Sequence, residues 1–123
     1  MKRNISINQT KALFFLLAAL ACFSFTLVHH GWANYDQTKP LNLTGKISEP
    51  TYENPHGMMK LTVDNKTWTV VLAPPSRMES RGLTQKILTE AKTATVVGYP
   101  HKTVKDEMRA ERITIDKATT ELR

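Results

Sequence analysis

The chain has 123 residues and a formal charge of +6, from 17 Lys and Arg against 11 Asp and Glu, with one Cys and four His among them. That length admits one small domain and excludes a multidomain enzyme. A single Cys excludes an internal disulfide, a cysteine-built zinc site and an iron–sulfur cluster, so stability must come from an apolar core.

Lys2, Arg3 and Lys11 precede an uncharged run from Ala12 to Val28, and the first acidic residue is Asp36. A positive stretch leading into an apolar run is the pattern of an export signal. The run exceeds the h-region length of about 7–15 residues and falls short of the roughly 20 that a membrane span needs. Residues 1–28 are therefore expected to be a signal peptide or an N-terminal membrane anchor, and residues 29–123 the domain proper. Ala19-Leu20-Ala21 offers a cleavage site before Cys22, Cys22 is itself a candidate for lipidation, and a cut after Val28 would expose His29. Each outcome places the domain in the periplasm or elsewhere outside the cytoplasm. Setting residues 1–28 aside removes three basic residues and no acidic one, leaving +3. A charge so small and so mixed argues against a nucleic-acid binder.

Leu41, Leu43, Gly45 and Ile47 alternate with Asn42, Thr44, Lys46 and Ser48, which predicts a half-buried first strand. Met59 to Val63 alternates again, Asp64-Asn65-Lys66 turns the chain, and Thr67 to Leu72 puts Trp68, Val70 and Leu72 on one face. These two runs predict a β-hairpin. Ala73-Pro74-Pro75 ends the sheet, since proline cannot donate to a ladder. Ser76 is expected to cap a helix, as is Thr84, beyond which Leu83, Ile87, Leu88 and Ala91 share one stripe. Thr93 to Tyr99 reads as a fourth strand and Ala110 to Ile115 as a fifth with Ile113 and Ile115 inward; His101 to Arg109 reads as a polar loop with His101 exposed, and Glu121 to Arg123 as a tail. The predicted fold is mainly β: a small five-stranded OB-like barrel with one short helix between strands 3 and 4.

His29-His30-Gly31-Trp32 with Tyr35-Asp36, Leu43-Thr44-Gly45, Asn54-Pro55-His56, Trp68, Pro74-Pro75, Arg81-Gly82-Leu83 and Gly98-Tyr99 stand in an order and spacing that carry a resemblance. Over residues 29–116 the chain resembles an uncharacterised family of small exported bacterial proteins, known only as a domain of unknown function. The resemblance implies an exported OB-like domain and brings no activity with it. Members of that family have a small-x-small site directly before the His-His pair, where this chain has Thr26-Leu27-Val28.

Three of the four histidines lie in two short motifs, and imidazole is the commonest transition-metal ligand. With His29 at a free N-terminus, its amine and ring could chelate one ion, joined by His30 or His56; such a nitrogen-rich site favours copper and also suits zinc. The alternative is structural: His30 and Trp32 pin the N-terminal arm, and His56 hydrogen-bonds its own bend between Pro55 and Gly57. Arg77, Arg81, Arg109 and Arg112 could grip an anion bidentately or pair with Glu79, Glu107 and Glu111. Met58 and Met59 are adjacent and so point to opposite strand faces, one of them into the core. No paired carboxylates, exposed nucleophile or Gly-x-Ser-x-Gly elbow is present, so the chain is expected not to be an enzyme.

The sequence thus points to an exported binding or accessory module. Its leading ligand is copper or zinc on His29, His30 and His56. The alternative is a metal-free barrel binding a partner protein or anionic ligand around Trp68, Arg81 and Arg112, with Trp32 and Asn54 as further ligand contacts and membrane attachment through the N-terminal segment.

Overall fold

The computed structural model describes residues 30–123. The expectations for the export segment, its cleavage and His29 lie outside them. The chain divides after Ala33, and of its first unit the described part is one helical turn, α1 (His30–Ala33). No described helix is long and apolar enough to cross a membrane.

The second unit, Asn34–Arg123, is mainly β. Its elements are β1 (Leu41–Thr51), β2 (Met58–Val63), β3 (Lys66–Val71), α2 (Pro75–Ser80), α3 (Gln85–Glu90), β4 (Thr93–Pro100), β5 (Glu107–Ile115) and β6 (Ala118–Glu121). The strands lie in the order β3-β2-β1-β4-β5-β6. A parallel pairing of Thr69, Val70 and Val71 with Glu107, Met108 and Arg109 joins β3 to β5 and closes five strands into a barrel. This is the OB-like arrangement that the element order predicts, with the helical connection between β3 and β4. The sixth strand lies outside the ring, paired to β5 alone among the described strands.

Period-two alternation supplies the core. Met59 and Leu61 from β2, Val70 and Leu72 from the β3 region, Ala94 and Val96 from β4, and Met108, Ala110, Ile113 and Ile115 from β5 are all buried, with Met78 of α2 and Leu88 of α3 packed among them. Asp64, at φ 54, makes the tight two-residue turn of the β2–β3 hairpin.

The inward set of β5 changes parity from 108 and 110 to 113 and 115, and the pairing explains it. Gly98 faces Ala110 while Val97 faces Arg112, leaving Glu111 as the extra residue of a β-bulge. A Cβ on Gly98 would collide with the Arg109 carbonyl oxygen, so only glycine lets the two backbones approach so closely here.

Three expectations are corrected. The connection holds two helices rather than one. Pro74 is the N-cap of α2 and Pro75 its first residue, so the prolines that end the strand also start a helix, and Ser76 lies inside it instead of capping it. Gly82, at φ 89, ends α2: the Leu83 N–H reaches Met78 O at 2.9 Å and the Gly82 N–H reaches Glu79 O at 3.1 Å. Thr84 then caps α3 as expected, accepting from the Ile87 N–H at 3.2 Å. Second, β5 begins at Glu107, within the expected loop, because pairing with β3 claims Glu107 to Arg109. Third, the tail is β6 and beyond it Leu122, whose side chain is buried and whose N–H donates to Glu111 O at 2.7 Å.

Candidate functional site

Ahead of the bulge, Met108 and Ala110 point into the barrel, so Glu107 and Arg109 project from the opposite face of β5. Arg109 is nevertheless only 7% exposed, as is Tyr35. The segment bearing Tyr35 is held along the end of β4: the Asp36 N–H donates to Pro100 O at 2.8 Å, and Tyr35 bridges to His101. The Tyr35 hydroxyl donates to Glu107 Oε2 at 3.1 Å. Burial first, and then the Glu107 carboxylate, push its pKa up to about 12.

His56 comes from the β1–β2 connection. The adjacent Gly57 anchors it, donating its N–H to Ala73 O and accepting from the Leu72 N–H, both at 2.9 Å. His56 Nε2 lies 3.2 Å from Arg109 Nη2. A guanidinium only donates, so Nε2 accepts and the ring is neutral with its proton on Nδ1. Burial lowers the pKa of His56, and the nearby charges of Arg109 and Arg77 lower it further.

Two further guanidinium groups converge here. Arg77 of α2 donates to Leu122 O at 3.1 Å, and Arg123, just beyond β6, donates to Gln37 Oε1 at 3.0 Å with Glu111 Oε1 at 3.7 Å. Burial lowers the pKa of Arg109, and of the charges around it Tyr35 opposes that while Arg77 and Arg123 add to it. The carboxylates flanking Arg109 on β5 are engaged with phenols, Glu107 with Tyr35 and Glu111 with Tyr99 at 3.0 Å. Arg77 and Arg109 thus meet at a neutral imidazole on one flank of the barrel, with Arg123 acting on Arg109 from just beyond β6, and guanidinium forks so gathered suit a carboxylate or phosphate.

Of the residues nominated by sequence, the structure brings His56, Arg77 and Arg109 together. Arg81 instead donates to the carbonyls of Glu121 at 2.7 Å and Arg123 at 3.0 Å, tying α2 to the end of β6. Arg112 pairs with Glu121 at 2.9 Å and Glu111 at 3.8 Å. Asn54 is exposed two residues before His56. Trp68 packs on the core with the Lys66 ammonium 4.0 Å above its ring. Trp32 and the backbone of His30 lie in α1, and His29 lies outside the described residues. Among the described residues no cluster of three or more His, Cys, Asp or Glu side chains is arranged to hold a metal.

His101 is corrected: it is largely buried, its Nδ1 accepting the N–H groups of Thr103 at 3.1 Å and Val104 at 2.9 Å. Sequence reasoning missed Arg123 and the Tyr35–Glu107 pair. The Tyr35-Asp36 motif marked Tyr35, and Glu107 stood only as a partner for the arginines, because the true partners lie more than 70 positions away.

No curated protein matches the chain. A family model does match residues 16–109, which is most of it. The chain belongs to the family of unknown function DUF6152.

Proposed function

We propose that this protein is an exported, non-enzymatic binding module that captures an anionic group, a carboxylate or phosphate of a partner or small ligand, on its arginine flank. The observation that carries the reading is the gathering of Arg77 and Arg123 around Arg109, with Arg77 and Arg109 at His56. Like charges gathered at a half-buried place oppose folding, and an incoming anion relieves that repulsion while gaining charge-assisted hydrogen bonds. Export is supported by the positive stretch and the apolar run from Ala12 to Val28.

The same charges weigh against copper or zinc at His56. A metal ion would meet two guanidinium groups and an imidazole Nε2 already accepting from Arg109. Titration with Cu(II) or Zn(II) is expected to be the same for the native protein and a His56→Ala variant; a loss of affinity in the variant would restore His56 as a ligand.

The anion reading is tested by calorimetric titration with citrate, inorganic phosphate and a glutamate-rich peptide. Arg77→Gln and Arg123→Gln, chosen because both lie nearer solvent than Arg109, are each expected to weaken binding about tenfold, the factor for one charge-assisted hydrogen bond. Binding that is absent in the native protein, or unaltered in the double variant, would sink the proposal.

A further inference from the structure

A second surface lies at the β4–β5 loop, residues 102–106. Its tip reads Lys102-Thr103-Val104-Lys105, all four exposed, and Val104 at 49% is one of two large apolar side chains exposed to solvent among the described residues. One exposed valine is ordinary by itself. What sets this one apart is how firmly it is held out, what surrounds it and where the loop lies along the chain.

The loop backbone is tied inward at several points. Beyond the two N–H groups accepted by His101 Nδ1, the Lys102 N–H donates to Asn34 O at 2.8 Å and the His101 N–H to Glu107 O at 2.9 Å. The Thr69 N–H reaches Asp106 O at 2.8 Å, and the Asp106 carboxylate holds Lys66 at 3.1 Å. With the N–H groups of Lys102, Thr103 and Val104 satisfied from within, the tip presents Val104 outward and has less ordering left to undergo on docking. The charges around it are mainly positive: Lys102 and Lys105 flank the valine, and Lys39 and Lys66 stand nearby against Asp36 and Asp106.

The loop also lies beside the chain's entry to the barrel, since Asn34, Tyr35 and Asp36 run along Pro100, His101 and Lys102. The apolar run ends at Val28, six residues before Asn34. Six residues, even if fully extended, would span at most about 20 Å, and the helical turn of α1 shortens that reach. A run held in a bilayer therefore keeps this loop within that reach of the membrane surface, and such a tether gives even a weak contact a local concentration in the millimolar range.

We infer that the Lys102–Lys105 tip seats on anionic phospholipid headgroups, with Val104 entering the interface and the lysines meeting the lipid charge. Lysines near an anionic surface contribute about 1 kcal/mol apiece, so two of them carry about thirtyfold in binding.

The test uses the full chain in vesicles of phosphatidylcholine alone or mixed with phosphatidylglycerol. Cys22→Ser removes the native thiol, and an environment-sensitive fluorophore is placed by Val104→Cys or, as the control, by Lys117→Cys at the opposite end of β5. The expected result is a blue shift and quenching by brominated lipid at position 104 only, dependent on phosphatidylglycerol and weakened about thirtyfold by Lys102→Gln with Lys105→Gln. A position-104 probe that stays in water on both vesicles overturns the inference, as does equal burial of both probes. The same double variant is expected to titrate citrate like the native protein, so failure here and failure of the arginine flank are separately visible.

Discussion

Arg109 is where burial and charge conflict most openly. An arginine facing away from the barrel core would ordinarily lie in water, yet the segment carrying Tyr35 is laid along this flank and Arg109 is buried with it. Tyr35 provides the sharpest residue-scale prediction. Its folded pKa is raised to about 12 from 10, so above pH 10 the unfolded chain loses a proton that the folded chain keeps. Stability should be intact below pH 10 and fall by about 2–3 kcal/mol as pH rises toward 12. Tyr35→Phe should abolish that part of the decline, as read by urea denaturation across the range; an identical decline in the variant would contradict the assignment. Residue types were legible at this scale and partners were not. The sequence marks His56 by its motif and offers several arginines, but nothing local says that Arg81 and Arg112 are occupied across 40 and 9 positions while Arg77 and Arg109 meet His56.

Elements were legible where alternation was strong, as in β1, the β2–β3 hairpin and β4. They were lost where tertiary pairing overrode weak local pattern. Ala118–Glu121 contains two threonines but no apolar alternation, and it becomes a strand because β5 offers an edge. Leu122 then closes that side of the core at 1% exposure. Leu122→Ala should therefore destabilise the fold by about 2–5 kcal/mol, measured by thermal or denaturant unfolding. A loss below about 1 kcal/mol would mean that the segment behaves as the tail its sequence suggests.

For the whole molecule the decisive contact is the three-residue parallel pairing of β3 with β5. The element order implies an OB-like barrel, but this register has no connecting turn to fix it and joins residues 38 positions apart, so it was not readable in advance. Closure makes β3 and β5 neighbours in one cooperative ring, whereas β6 hangs on one partner. Native-state hydrogen exchange should accordingly place the paired amides of β3 and β5 in the slowest class and those of β6 in a faster one. Faster exchange in β3 than in β6 would indicate that the barrel opens at its parallel seam.

The bulge at Glu111 gives β5 two phases in one strand. A copy one residue shorter could keep Met108 and Ala110 inside or Ile113 and Ile115 inside, never both. The single extra residue thus lets one continuous strand close the barrel against β3 at its start, where Arg109 faces the flank, and carry β6 at its end on the edge away from β4, with which it still pairs. It acts as a phase shifter: length variation is intolerable at this point of the chain and far easier to absorb in the Asp116–Lys117 turn a few residues on, which both phases have already left behind.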